Sequence, residues 1–121
     1  MTERVTTDAE TRVQDIRAMV ERFVSERDWH QFHAPKNISM ALAIEAAELM
    51  EHFQWISVKE SRDMADDDAR KSAVAEELAD VLCYGFALAN EMGIDVATAM
   101  REKMKKNEVK YPAERFQGKY E

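Results

Sequence analysis

Apolar residues Val13, Ile16, Val20, Phe23 and Val24 recur at three- and four-residue steps. This spacing lays side chains along one face of a helix and predicts a first amphipathic helix ending near Asp28. The pattern breaks from Trp29 to Lys36, where Pro35 biases Ala34 away from helical backbone, so this segment reads as an ordered loop. A second helix, capped by Asn37 or Ser39, runs through Met40, Ile44, Ala47 and Met50 to about Phe53. Its apolar residues nearly encircle it, which places it centrally. From Ser57 to Asp68 the chain turns polar, and Asp66, Asp67 and Asp68 put negative charge where a third helix begins, as its dipole favours. That helix carries Val74, Leu78, Val81, Leu82 and Phe86 to Met92 and stops at Gly93, suited to a left-handed cap. Asp95 then caps a fourth helix, from Val96 to about Val109, before Pro112 forbids its continuation. Residues 1–8 and 113–121 read as flexible or partner-bound ends.

Composition narrows this to an all-α fold. Three Gly and two Pro against eight Met, with many Ala, Glu and Lys, favour helix and starve the chain of hairpin turns. A chain of 121 residues fits one domain over 1–121, but one with little spare apolar area, so oligomerisation would help it. The net charge of −7 argues against holding a nucleic acid polymer, which needs a basic surface, and leaves a small or metal-bridged anion as ligand. Cys83 stands alone and cannot form an internal disulfide, and no secretory signal is visible, so a reduced cytoplasmic setting is expected. No membrane partner is expected, because Glu45, Glu48 and Asp80 interrupt the most apolar stretches.

Those interruptions are the candidate chemistry. Glu45 and Glu48 stand three residues apart amid Ala43, Ile44, Ala46, Ala47 and Leu49, and so project from one face of an apolar helix. Glu77 and Asp80 repeat the spacing amid Leu78, Ala79, Val81 and Leu82. One such pair is ordinarily a solvated helix face, but two pairs on the two most apolar helices would gather carboxylates that repel and lose hydration unless a cation neutralises them. Magnesium fits, since it takes oxygen ligands at about 2.0 to 2.1 Å and is commonly shared with substrate phosphates. Glu51 and Glu76 are further candidates, and spacing alone does not choose between Glu76 and Glu77. A ferritin-like di-iron bundle needs Glu-x-x-His on two helices. Here His30, His33 and His52 follow Arg27, His30 and Leu49 at that spacing. One Cys and scattered His likewise give zinc no ligand cluster.

Four stretches carry a resemblance: Arg27 to His33, Glu45 to Leu49, Phe53 to Trp55, and Glu76 to Leu82. Together they resemble the all-α NTP pyrophosphatase superfamily in its MazG-like dCTP pyrophosphatase branch, over about residues 10 to 112. The resemblance implies a four-helix bundle completed by oligomerisation into a dimer or tetramer. It implies Glu45, Glu48, Glu77 and Asp80 as magnesium ligands, with manganese as substitute, and prefers Glu77 over Glu76. It places Trp29, His30, Gln31, Phe32 and His33, with Trp55 and Tyr84, around a deoxynucleotide, and raises Lys103 and Asn107 as triphosphate contacts.

Physical chemistry supports parts of this and supplies plainer readings. Aromatic faces stack bases, although any one Trp or Tyr is more often core, and Tyr84 adds weight by following Asp80 by one helical turn. His33 suits a hydrogen bond to base or sugar, or a surface role. His52 shares the acidic face and is expected to act outside direct ligation. The fourth helix, with Lys103 and Asn107 one turn apart, is by default a solvated face. Some dCTP-cleaving relatives have a histidine where this chain has Val20, which bears on base preference. The expected activity is hydrolysis of a dNTP, dCTP or a modified dCTP foremost, to dNMP and pyrophosphate, with Glu45 or Glu48 activating water. The alternatives are a non-catalytic nucleotide sensor and a metal-binding helical interaction module.

Overall fold

The computed structural model describes residues 5–119, and among these every regular element is a helix. Four are long: α1 (Val13–Glu26), α2 (Pro35–Glu51), α4 (Asp68–Met92) and α5 (Val96–Lys110). Two are short, α3 (Val58–Asp63) and α6 (Ala113–Phe116), and a 3-10 turn over Met64–Asp66 leads into α4. The all-α expectation holds. Among the described residues no helix is long and apolar enough to cross a membrane. Of the two ends read as flexible or partner-bound, residues 1–4 and 120–121 lie outside the described residues, and α6 forms within the second.

Two caps, Gly93 and Asp95, match the sequence reading, and the acidic run before α4 supplies a third. Asp67 accepts from the Arg70 amide and opens α4, and Asp95 accepts from the amide and hydroxyl of Thr98 and opens α5. Gly93 closes α4 at φ 63°, a left-handed conformation that costs glycine no Cβ clash.

Two boundaries differ from expectation. α2 begins at Pro35, not at a cap on Asn37 or Ser39, because the first helical position needs no N–H and Ala34 at ψ 145° supplies the extended entry that precedes proline. Asn37 bonds back to the Phe32 carbonyl instead. The polar stretch after Ser57 is also more ordered than its composition suggested: Ser57 and Glu60 form a reciprocal capping box on α3, and Met64 is buried.

α4 is the spine, packed most extensively against α2 and next against α1. Val20 and Val24 of α1, Ile38 of α2 and Ala87 of α4 form the buried cluster, with Tyr84, Phe86 and Leu88 against it. At one end, Arg17 and Asn90 join α1 to α4 reciprocally: the guanidinium donates to the Asn90 side chain, and that side chain donates to the Arg17 carbonyl. A second guanidinium nitrogen donates to the Ile94 carbonyl.

The central position expected for α2 is only half met. Ile38 is buried, but Met40, Ile44 and Met50 are exposed, as are Leu78 and Leu82 one turn apart on α4. The chain exposes 10137 Å², against about 6,700 Å² for a compact protein of its mass. Apolar helix faces that one chain does not cover account for part of this excess.

Candidate active site

α2 and α4 carry the four acids that spacing and resemblance together singled out. Carboxylate oxygens of Glu45, Glu48 and Glu77 lie within 4.8 Å of one another. Asp80, one turn along α4 from Glu77, acts on both Glu45 and Glu77 through its charge. Glu51 and Glu76 are exposed and outside the group, so the helical phase selects Glu77. Burial, then the neighbouring Glu48, holds the Glu45 carboxyl above the usual range. Burial, then the charges of Glu48 and Asp80, does the same to Glu77, with His52 opposing. His52 thus stands beside the cluster and not in it.

The donor set fits a hard cation. Glu45 and Glu77 each hold one buried carboxylate oxygen that meets no hydrogen-bond donor among the described residues. An unpaired buried carboxylate is costly, and a divalent ion with oxygen preference would relieve both.

Asp80 also borders a cleft of about 410 Å³ between α1, the loop and α4. Its aromatic wall is a row in which Trp29 stands 6.2 Å from His33 and His33 stands 6.5 Å from Tyr84, both pairs tilted. Phe23 meets the Trp29 ring edge-on at 5.6 Å and is itself covered by the Arg27 guanidinium at 3.7 Å. The floor is Val20, Val24 and Ala87, with Cys83 beside Asp80; burial pushes the Cys83 thiol up. The Nδ1 atom of His33 is buried there without a hydrogen-bond partner among the described residues. Phe23 and Val24 read in sequence only as the apolar face of α1, and Cys83 only as an unpaired thiol. The signal for the first two was their place on the same apolar stripe as Val20.

Other predicted contacts lie elsewhere in this chain. The His30 ring faces Glu21 and Glu91, and the Gln31 side chain donates to the carbonyl and carboxylate of Asp28. Phe32 is exposed, and Trp55 is 87% exposed and does not line the cleft. Lys103 borders a separate groove with Gly85 and Met100, and Asn107 lies one turn further along α5. α5 buries no residue in the single chain, so nothing within the chain presses these two against the acids.

A sequence model of the MazG-like family matches residues 40–120. The chain is 41% identical over 109 residues to dCTP pyrophosphatase 1 of Rattus norvegicus, covering 90% of this chain and 64% of that protein. To dCTP pyrophosphatase 1 of Homo sapiens it is 41% identical over 104 residues, covering 86% and 61% respectively. The chain thus spans a little under two thirds of the length of these curated relatives. Its fold is similar to that of a pyrophosphatase from Archaeoglobus fulgidus, with TM-score 0.77, 35% identity, and coverage of 90% of this chain and 99% of that one.

Proposed function

Because the chain belongs to the MazG-like family, we propose that it is a divalent-metal-dependent nucleoside triphosphate pyrophosphohydrolase, converting dCTP or a modified dCTP to the monophosphate and pyrophosphate. The observation that carries this reading is the double role of Asp80, which stands at once beside the acidic cluster and on the edge of the aromatic cleft. A nucleotide needs both surfaces, a place for phosphates next to a place for a base.

Glu45, Glu48, Glu77 and Asp80 would hold the ion, magnesium or in its place manganese. When bound it supplies charge neutralisation for the phosphates and for the charge that builds on the leaving group. The protein's own groups do the rest. Trp29, His33 and Tyr84 hold the base from one side, and His33 Nδ1 offers it or the sugar a hydrogen bond. Glu45, or Glu48 beside it, takes the proton of a water whose oxygen attacks the α-phosphorus, and the bond from that phosphorus to the bridging oxygen breaks to release pyrophosphate. The carboxylate oxygen that the ion leaves free is the one able to accept this proton. Where Val20 stands the floor offers no hydrogen bond, so at that point stacking and size are left to favour a small pyrimidine.

The working unit is a homo-oligomer, dimer or tetramer, supported by the surface excess and the uncovered apolar rows on α2 and α4. Its setting is the cytoplasmic nucleotide pool, where an unpaired Cys83 stays reduced.

Pyrophosphate release measured across the dNTPs and NTPs with magnesium tests the whole reading. The expected result is highest kcat/KM for dCTP or a 5-substituted dCTP and none in excess EDTA. Full activity in EDTA, or no release from any nucleotide, overturns it.

A further inference from the structure

His30 sits between the two loop aromatics of the cleft in sequence but does not line it. Its ring is held from two helices. Nε2 faces Glu21 of α1 at 2.8 Å, with the Ser25 hydroxyl at 3.3 Å, and Nδ1 faces Glu91 of α4 at 2.5 Å. A neutral imidazole carries one N–H, so it can satisfy one carboxylate while its other nitrogen meets the second as lone pair against lone pair. Only the doubly protonated ring donates to both. Glu21 and Ser25 face it from α1 and Glu91 from α4, while Arg17, one turn before Glu21, is already bonded to Asn90 and the Ile94 carbonyl. The two carboxylates accordingly hold His30 above the usual histidine range.

The backbone couples this ring to the cleft wall. The His33 amide donates to the His30 carbonyl at 3.2 Å, and the Trp29 amide donates to the Val24 carbonyl at 3.0 Å. Asp28 just before them sits at φ 53°, in the left-handed region, so the entry to the loop relies on neighbouring contacts to stay there.

We propose that His30 is a positioning residue whose imidazolium ties the Trp29–His33 loop to α1 and α4 and thereby sets the aromatic wall for the base. The assignment rests on the nucleotide reading of the cleft. Deprotonation as pH rises releases one carboxylate contact, and the wall loses its order while the acidic cluster on α2 and α4 is untouched. Nucleotide affinity falls, and the rate of the chemical step falls less.

The test follows wild type, His30→Gln and Glu91→Gln from about pH 5 to 9, which covers the ordinary histidine range of about 5 to 8 and extends upward because His30 is raised. In wild type KM should rise roughly tenfold across the titration, with a smaller change in kcat; about 1.4 kcal/mol corresponds to such a factor. His30→Gln should show the high KM throughout and lack that rise, and Glu91→Gln should move it to lower pH. A second readout needs no nucleotide: in a Trp55→Phe background, the long-wavelength edge of the near-ultraviolet circular dichroism, where neither tyrosine nor phenylalanine absorbs, reports Trp29. Its signal should weaken over the same pH range in wild-type His30 and stay flat in His30→Gln. A wild-type KM and dichroism that are both flat, or a His30→Gln protein that keeps the wild-type rise, overturns the assignment. If no nucleotide is hydrolysed at all, the cleft reading fails by itself, and the dichroism decides whether His30 orders the loop.

Discussion

Glu45 on α2 and Glu77 on α4 face each other with carboxylate oxygens within 4.8 Å, each keeping a second feature in common, a buried oxygen without a donor among the described residues. Such a pair strains the metal-free fold. Glu77→Gln should therefore raise the metal-free melting temperature by a few degrees, because repulsion falls, and should abolish the further rise that magnesium gives the wild type. Calorimetry with and without the ion checks both halves. A lower metal-free melting temperature together with an intact response to magnesium would mean that Glu77 is structural.

The same two groups fix a pH dependence. Their folded carboxyls sit above the ordinary value, so the folded state binds protons more tightly than the unfolded chain. Stability is then gained as pH falls through the raised folded values and is lost as pH rises through them toward neutrality. Metal-free protein should melt progressively lower between mildly acidic and neutral pH, and saturating magnesium should flatten that slope. A metal-free melting temperature that climbs with pH over this range contradicts the buried cluster.

Trp29 is one end of the three-ring wall that a base would meet, resting on Phe23 and His33. Stacking acts in ground and transition states alike, so Trp29→Ala should raise KM roughly tenfold to a hundredfold and leave kcat nearly unchanged. Steady-state kinetics with dCTP measure this. Unchanged KM would reduce Trp29 to core packing.

Ile44 is 60% exposed and Leu82 51% exposed, and each follows by one turn another exposed apolar residue, Met40 and Leu78 respectively. Sedimentation velocity should find the wild type as a dimer or larger, and Leu82→Glu should shift it toward a single chain by placing a charge in the covered face. A monomeric wild type would leave the apolar rows without a role.

Much of this was legible in the sequence because it depends on local rules. The helical phase that puts Glu45 with Glu48 follows from spacing alone, as do the caps at Gly93 and Asp95, whereas Glu76 and Glu77 both lie about one turn before Asp80 and only the packing of α4 on α2 decides between them. Other features depended on signals that compete. Pro35 marked a boundary, yet its place at the first turn of α2 and not before it was decided by Ala34. The Ser57 to Glu60 box was written in sequence but hidden in a polar run. His30 lies among residues that the family resemblance assigned to the nucleotide, and only the three-dimensional positions of Glu21 and Glu91, far from it along the chain, reveal its other attachment. For Lys103, Asn107 and Trp55 no periodicity tells which surface they will meet, since that depends on elements packed from elsewhere.

α4 has 25 residues, and its length acts as a measuring stick. At about 1.5 Å per residue, Glu77 and Tyr84 lie two turns apart on the same side of the rod, a span of about 10 Å along its axis. The carboxylates that would meet phosphates and the ring that would meet a base are thus held at a distance set by backbone hydrogen bonds, the least deformable part of the molecule. Discrimination by phosphate-chain length then needs no moving part. Conversely, one residue inserted between Asp80 and Tyr84 would turn Tyr84 and everything beyond it on α4 by about 100°, away from Trp29 and His33, while the carboxylates kept their place.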